Sequence, residues 1–412
     1  MAGPRADRLP PALLAGLPAA GLHFSGALKS APPVAALPFD PTVLFAAALA
    51  PGLLLLLAGR RWRALPLLAP PLACCAGLWL WLVVAGLWSP SRAVLAAKLP
   101  EAVLLAPAML AAGLAIGADA PARRVLTDGT IALGVFVAAA VAWGISHGEV
   151  VLGGPTDGDP ERVRVQYQLA GLAIACAAGL ASVRAALSTG WRRAPWAAVV
   201  LALAAAQLLP GGRAALLGLG LAVVLAPAAA FWSAGRPRAA LGWVGLAIVA
   251  GLGFAVVLAD PDRISGLRTL ERLTSEGIAA SARPILWSQA VDWAGASAPW
   301  GLGTGGFTVA AGSGERRGLY PHNHALEALV EGGLPGLLLW LGAFGGGLAV
   351  LLARVRSMPP RAAGALVALV LPVAVAVMVS TDLGNRMAWF ALGLALSPGL
   401  LADARWGETR DA

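Results

Sequence analysis

The chain has 412 residues, 58% of them hydrophobic and 12% charged, with a mean hydropathy of +0.77, so apolar runs must cover most of it and a soluble globular fold is excluded. A formal charge of +9 in so apolar a chain reflects the orientation of membrane spans rather than a nucleic-acid partner. Cys74, Cys75 and Cys176 all lie inside apolar runs, which supports neither a disulfide framework nor a thiolate metal site.

The first apolar stretch, Leu9 to Leu28, is broken by prolines and His23 and ends on Lys29. It reads as a short first span rather than a cleaved signal peptide, because no small-residue cleavage site follows. Further stretches long enough to span lie near 41–58, 64–88, 94–116, 125–145, 165–187, 194–210, 213–232, 239–259, 324–353, 362–380 and 385–402. With 10–28 they predict about twelve helices, since lipid demands a backbone bonded within itself and these Leu/Ala/Val blocks lack the alternation of a barrel. The expected fold is therefore all-α: one integral-membrane domain over 1–412, with a large loop at 260–323 that carries short helices near 267–273 and 285–294.

Orientation follows from the arginines. Every second connection, from Arg5 and Arg8 through Arg60, Arg61, Arg63, Arg123, Arg124, Arg184, Arg192, Arg193, Arg236, Arg238, Arg354, Arg356 and Arg361 to Arg405 and Arg410, holds 17 of the 30 basic residues and only six of the 21 acids. The positive-inside rule makes that face, with both termini, cytoplasmic. The opposite face then carries the turn Gly211-Gly212-Arg213, the loop 260–323 and a connection containing Asp157-Gly158-Asp159. That acidic pair has the spacing some glycosyltransferases use for a metal, but in a Gly/Pro turn carboxylates are commonplace and no metal site is assigned.

The sharpest local pattern ends the long loop. Asn323 suits an N-cap, a short helix can run from His324 to about Glu331, Gly332-Gly333 breaks it, and Pro335 suits the start of the next helix. Leu326, Leu329 and Val330 share one face while Glu327 and Glu331 share another, so the helix is expected to lie in the membrane interface. His322 is thereby presented at the membrane surface, where an imidazole with an ordinary pKa of about 6.5 can accept a proton at neutral pH. His324 is expected to point to solvent, and His23 and His147 to serve only local structure.

Two arginines are natural companions. Arg213 opens a span after two glycines, where free N–H groups and the helix dipole favour an anion, and its guanidinium can fork onto phosphate oxygens. Arg283 starts a loop helix, four residues before Trp287. The alternative for each is to snorkel toward headgroups. Asp382 and Arg386 in the last outer turn either face the same site or pair with each other. Lys98 and Glu101, three apart near a span end, are expected to pair. The run Gly301-Leu302-Gly303-Thr304-Gly305-Gly306 satisfies G-x-G-x-x-G but lacks a β-α-β unit, so it is not a dinucleotide site.

Taken together, His322-Asn323 followed by Gly333 and Gly336, the upstream Arg283 and Trp287, the glycine run to Phe307 and the element around Arg213 resemble the O-antigen ligase and polymerase superfamily. One departure is Gly212, where the family often has serine. The resemblance implies a periplasmic active site in the bacterial inner membrane and a donor glycan on undecaprenyl diphosphate. The acceptor it implies is a sugar hydroxyl of lipid A–core oligosaccharide, and no metal or other cofactor is expected. His322 would act as catalytic base, Arg213 and Arg283 would hold the diphosphate, and Asn323, Asp382 and Arg386 would support. Rival readings within the chemistry are an O-antigen polymerase and a protein O-oligosaccharyltransferase. A transporter or flippase is the rival of another class, disfavoured because the ionisable residues gather at one face rather than at mid-bilayer.

Overall fold

The computed structural model describes residues 9–152, 162–258, 269–270, 283–315 and 319–404. Among these, nine helices are long and apolar enough to cross a membrane: Pro41–Ala58, Pro66–Trp88, Arg92–Ala118, Ala120–Ser146, Tyr167–Leu187, Arg213–Ser233, Pro237–Phe254, His324–Ser357 and Pro360–Val379. The protein is an all-α polytopic membrane protein. The other three predicted spans form shorter helices, Leu9–His23 of 15 residues, Arg193–Ala206 of 14 and Arg386–Leu396 of 11. For the last the reason is burial: Met387 through Leu396 are all buried. A helix enclosed by protein need not match the hydrocarbon thickness.

The helix Tyr167–Leu187 is central, 83% of its span buried within the protein. Its composition explains the position. Ala170, Gly171, Ala173, Ala177, Gly179 and Ala181 put small residues on several of its sides, so neighbouring backbones approach closely there. Pro360–Val379 and Arg213–Ser233 pack against it and against each other. Pro237–Phe254 is the opposite case, 6% buried, with Leu241, Leu246, Ile248, Val249 and Leu252 exposed as a lipid-facing surface.

Contacts sort the connections into two ends, as the arginine alternation requires. At one end Arg60 bonds Asp119 at 2.7 Å, Arg184 pairs with Asp128, and Arg356 lies over Trp232 at 4.3 Å. There the strand Arg60–Ala64 also pairs antiparallel with Leu400–Ala404. At the other end Arg386 reaches Ser25 and Ser30 bonds Gln166. The short strand Val150–Leu152 pairs with Val163–Val165 there; Asp157 and Asp159, between these strands, lie outside the described residues. Neither strand pair was expected from the apolar pattern, because each sits in the polar connections where span-length hydropathy carries no information.

Of the large loop, the expected helix near 285–294 is present as Arg283–Ala296. The stretch expected to be helical near 267–273 lies outside the described residues except for Thr269 and Leu270. Thr269 ties down the turn before Arg213: its hydroxyl donates to the Gln207 carbonyl at 3.0 Å and accepts from the Gly211 N–H at 2.9 Å.

Candidate functional site

His322 is held by its neighbours on both sides. The Trp287 indole N–H donates to the Pro321 carbonyl at 2.8 Å. On the other side Asn323 caps the following helix, its side-chain oxygen accepting the Leu326 N–H at 3.1 Å. Between these anchors His322 takes φ 56°, and it is the one non-glycine residue with positive φ among those described. That conformation costs on the order of 1–3 kcal/mol and persists where surrounding contacts over-determine it, commonly at functional sites.

The imidazole packs 4.1 Å from the Tyr320 ring, and the Tyr320 hydroxyl donates to the Ser380 carbonyl at 3.3 Å. Its Nδ1 is buried with no hydrogen-bond partner. Burial first, and then the Arg283 guanidinium, pull His322 below the ordinary histidine pKa, opposed by the Ser380 carbonyl and Asp382. Burial, and then Asp382, push the Tyr320 phenol up. The ring is therefore neutral at pH 7 and has a nitrogen free to accept a proton.

Arg283 is brought to this site by helix geometry. It and Trp287 lie one turn apart on the helix Arg283–Ala296, hence on one face, and Trp287 is bonded next to His322. Arg213 starts its helix with Gly212 as a cap that offers no side chain. That helix runs antiparallel to Pro360–Val379: Ser233 bonds the Met358 carbonyl, Gly364 lies against the Ala226 carbonyl, and Gly218 against Pro372. The register carries Arg213 to the last turn of Pro360–Val379, the end at which Ser380 faces His322. Loop arginine, span-end arginine and histidine thus share one end of the protein.

Asp382 faces His322, whereas Arg386 turns away from it. The Arg386 guanidinium donates to Ser25 Oγ at 2.6 Å and to the Leu22 carbonyl at 3.3 Å, so it ties the last helix to the first. The pairing of Asp382 with Arg386 is replaced by these bonds.

Beneath His322 lies a cluster that sequence reasoning misassigned. Lys98 Nζ meets Glu327 at 2.6 Å and Glu331 at 2.8 Å, rather than Glu101. The two carboxylates are buried, not turned to an interface. Glu327 also accepts the Leu383 N–H at 2.9 Å, and Glu331 the Gly305 N–H at 2.8 Å. His324 is buried too, edge-on to Phe344, rather than facing solvent. A signal was present: like charges one helical turn apart are unfavourable unless a cation lies between them, and Lys98 is one of only two lysines. Its partners are more than two hundred positions away, beyond any spacing rule.

The glycine run now has a structural role. Gly301, Gly303 and Gly305 all have positive φ, and the run wraps the break in the helix that follows His322. Leu302 and Gly303 donate N–H bonds to the Val330 and Glu331 carbonyls, and Leu334 donates to Pro299. Gly333, at φ 64°, is the break itself; a Cβ there would sit 2.1 Å from the Pro299 carbonyl oxygen. Gly333→Ala is expected to lose at least about 1–3 kcal/mol, read as a lower unfolding midpoint of the purified protein. A Gly332→Ala control, whose Cβ would meet only Trp81 at 3.4 Å, should change little.

His23 is buried against Phe24 and Phe390, and His147 stacks on Trp143. Among the described residues no three His, Cys, Asp or Glu side chains stand together in a way that could hold a metal ion.

No curated protein matches the chain. A family model does: residues 197–341 match Wzy_C, described as O-antigen ligase. The matched segment contains Arg213, Arg283, the glycine run, His322, Asn323, Glu327, Glu331 and Gly333, and it ends before Asp382. The match spans residues 197–341 of the 412, and over that segment the chain is similar to the O-antigen ligase and polymerase superfamily.

Proposed function

We propose that the protein is an O-antigen ligase that transfers a glycan from undecaprenyl diphosphate to a sugar hydroxyl of lipid A–core oligosaccharide on the periplasmic side of the inner membrane. The observation that carries this reading is the His322 imidazole: strained, half-buried and neutral, with an unpartnered Nδ1 beside Arg283. The orientation rests on the arginine-rich end, which the positive-inside rule makes cytoplasmic, leaving His322 outside.

In the proposed step His322 takes the proton of the acceptor hydroxyl as its oxygen attacks the anomeric carbon. The bond from that carbon to the diphosphate oxygen breaks in the same displacement, with inversion. The electron pair leaves on the diphosphate, whose charge Arg213 and Arg283 balance. Diphosphate is a good leaving group without protonation, so no general acid is needed and the step runs without a metal. Asn323 supports by fixing the helix after His322, and Asp382 by facing the ring. Arg386 supports from farther off, by holding the Asp382 turn against the first helix.

The pH dependence has a definite sign. A base works deprotonated, so the rate should fall as pH drops through the His322 pKa, which lies below 6.5 because of burial and Arg283. Arg283→Gln removes the cation and should move that acid limb to higher pH, besides slowing transfer. A kcat/KM profile whose limb stays in place would remove Arg283 from the neighbourhood of the base. The decisive assay supplies purified lipid A–core and lipid-linked O-antigen to the reconstituted protein, without divalent metal. Glycan on lipid A–core supports the ligase; product only on a second lipid-linked repeat means polymerase, and movement between vesicles without covalent transfer means a carrier.

A further inference from the structure

At the end of the protein opposite His322, a cavity of about 800 Å³ opens between the helices Ala120–Ser146, Tyr167–Leu187 and Pro360–Val379. Arg123, Arg124, Arg184 and Arg361 line it against a single acid, Asp128. Two of these arginines are occupied. Arg123 donates to the Gly117 carbonyl, and Arg184 pairs with Asp128 while stacking over Trp196 at 4.6 Å. Arg124 and Arg361 are exposed, and their guanidiniums have no protein partner among the described residues.

The backbone adds to this. The helix Pro360–Val379 begins behind Pro359, which offers no side-chain cap; Ala362 and Ala363 already bond the Pro359 carbonyl, so its first turn brings the Arg361 N–H and a positive dipole end to the cavity. The helix Ala120–Ser146 begins at the same rim, but its start is capped by the Asp119 side chain. The inner wall is apolar, with Leu180 and Val183 among its side chains. Unpaired arginines at the mouth, a positive helix end beside them and an apolar wall inside match one ligand chemistry, a phosphodiester joined to a hydrocarbon chain. A topology signal needs only charge in the connection; it does not need three connections folded into one cavity.

We infer that this cavity binds the headgroup phosphate of an anionic phospholipid, with Arg124 and Arg361 as its forked donors. The site is separate from the proposed transfer chemistry, and its occupancy does not depend on that reading. Basic pockets between membrane helices on the cytoplasmic side are suited to such headgroups.

The test uses the full chain, delipidated in neutral detergent, and follows its thermal unfolding during titration with phosphatidylglycerol, phosphatidylcholine or inorganic phosphate. Phosphatidylglycerol should raise the midpoint. Arg124→Gln/Arg361→Gln should weaken its apparent affinity about thirtyfold, near fivefold for each arginine. The control Arg61→Gln/Arg192→Gln, which removes equal charge from exposed positions at the same end, should leave that affinity within about twofold of wild type if charge in general contributes little. If the glutamine variant does not fold, Arg124→Lys/Arg361→Lys keeps the charge but loses the fork and should still weaken binding. Unchanged phosphatidylglycerol affinity in the site variants, or an equal loss in the control, overturns the inference. So does an equal effect of phosphatidylcholine, and inorganic phosphate stabilising as well as the lipid would reduce the cavity to a bare anion site.

Discussion

Replacing His322 by alanine is expected to lower glycan transfer by about 10²- to 10⁴-fold, the usual contribution of a positioned base, while the protein is still made and inserted. The expectation rests on separable observations. The ring is neutral at working pH because burial and Arg283 disfavour its charged form, and its Nδ1 has no protein partner. Its backbone is held at φ 56° by bonds to residues on either side. Since Asn323 supplies the helix cap through its own side chain, His322→Ala removes the imidazole without removing the cap. The unfolding midpoint should therefore stay close to that of the wild type. Asn323→Ala is the contrasting case: loss of the cap costs about 1 kcal/mol, and transfer falls through misplacement of His322. Near wild-type transfer by His322→Ala would end the assignment of a base at this position.

The second large effect concerns stability. Lys98→Met leaves Glu327 and Glu331 buried with no cation between them, and removing one partner from a buried ionic cluster costs about 3–5 kcal/mol. The damage should spread to the site, because Glu327 holds the Leu383 N–H in the turn that carries Asp382, and Glu331 holds Gly305 in the glycine run. Lys98→Met/Glu327→Gln/Glu331→Gln keeps both backbone bonds and removes all three charges, so it should recover most of the lost stability. Unfolding midpoints of the wild type, the single and the triple variant measure this. A single variant as stable as wild type would show that the cluster is hydrated and worth little.

Much of the fold was legible from hydropathy, because a lipid-exposed helix must be apolar along its whole length. The ranges 41–58 and 213–232 differ from the observed helices Pro41–Ala58 and Arg213–Ser233 by at most a residue. Hydropathy failed where that requirement lapses: Arg386–Leu396 is enclosed by protein and stops at Ser397-Pro398-Gly399. The cap at Asn323 and the break at Gly333 were readable too, since both are local chemistry written within a few residues. The burial of the Glu327/Glu331 face is not legible locally, because periodicity says which residues share a face and not what that face meets; Lys98 makes this polar face the inside.

By itself, then, the sequence determined an all-helical membrane protein, two faces distinguished by arginine, and a histidine placed before a capped, broken helix. These follow from propensity, capping and the cost of charge in lipid, all of which act over short stretches of chain. Only the tertiary structure decided that Arg283 sits beside His322, that Arg386 binds the first helix instead of the site, and that Lys98 neutralises two glutamates. It also decided that arginines from three connections line one cavity. Each of these joins residues far apart in the chain, and charge pairing and burial depend on distance in space, which sequence spacing does not contain.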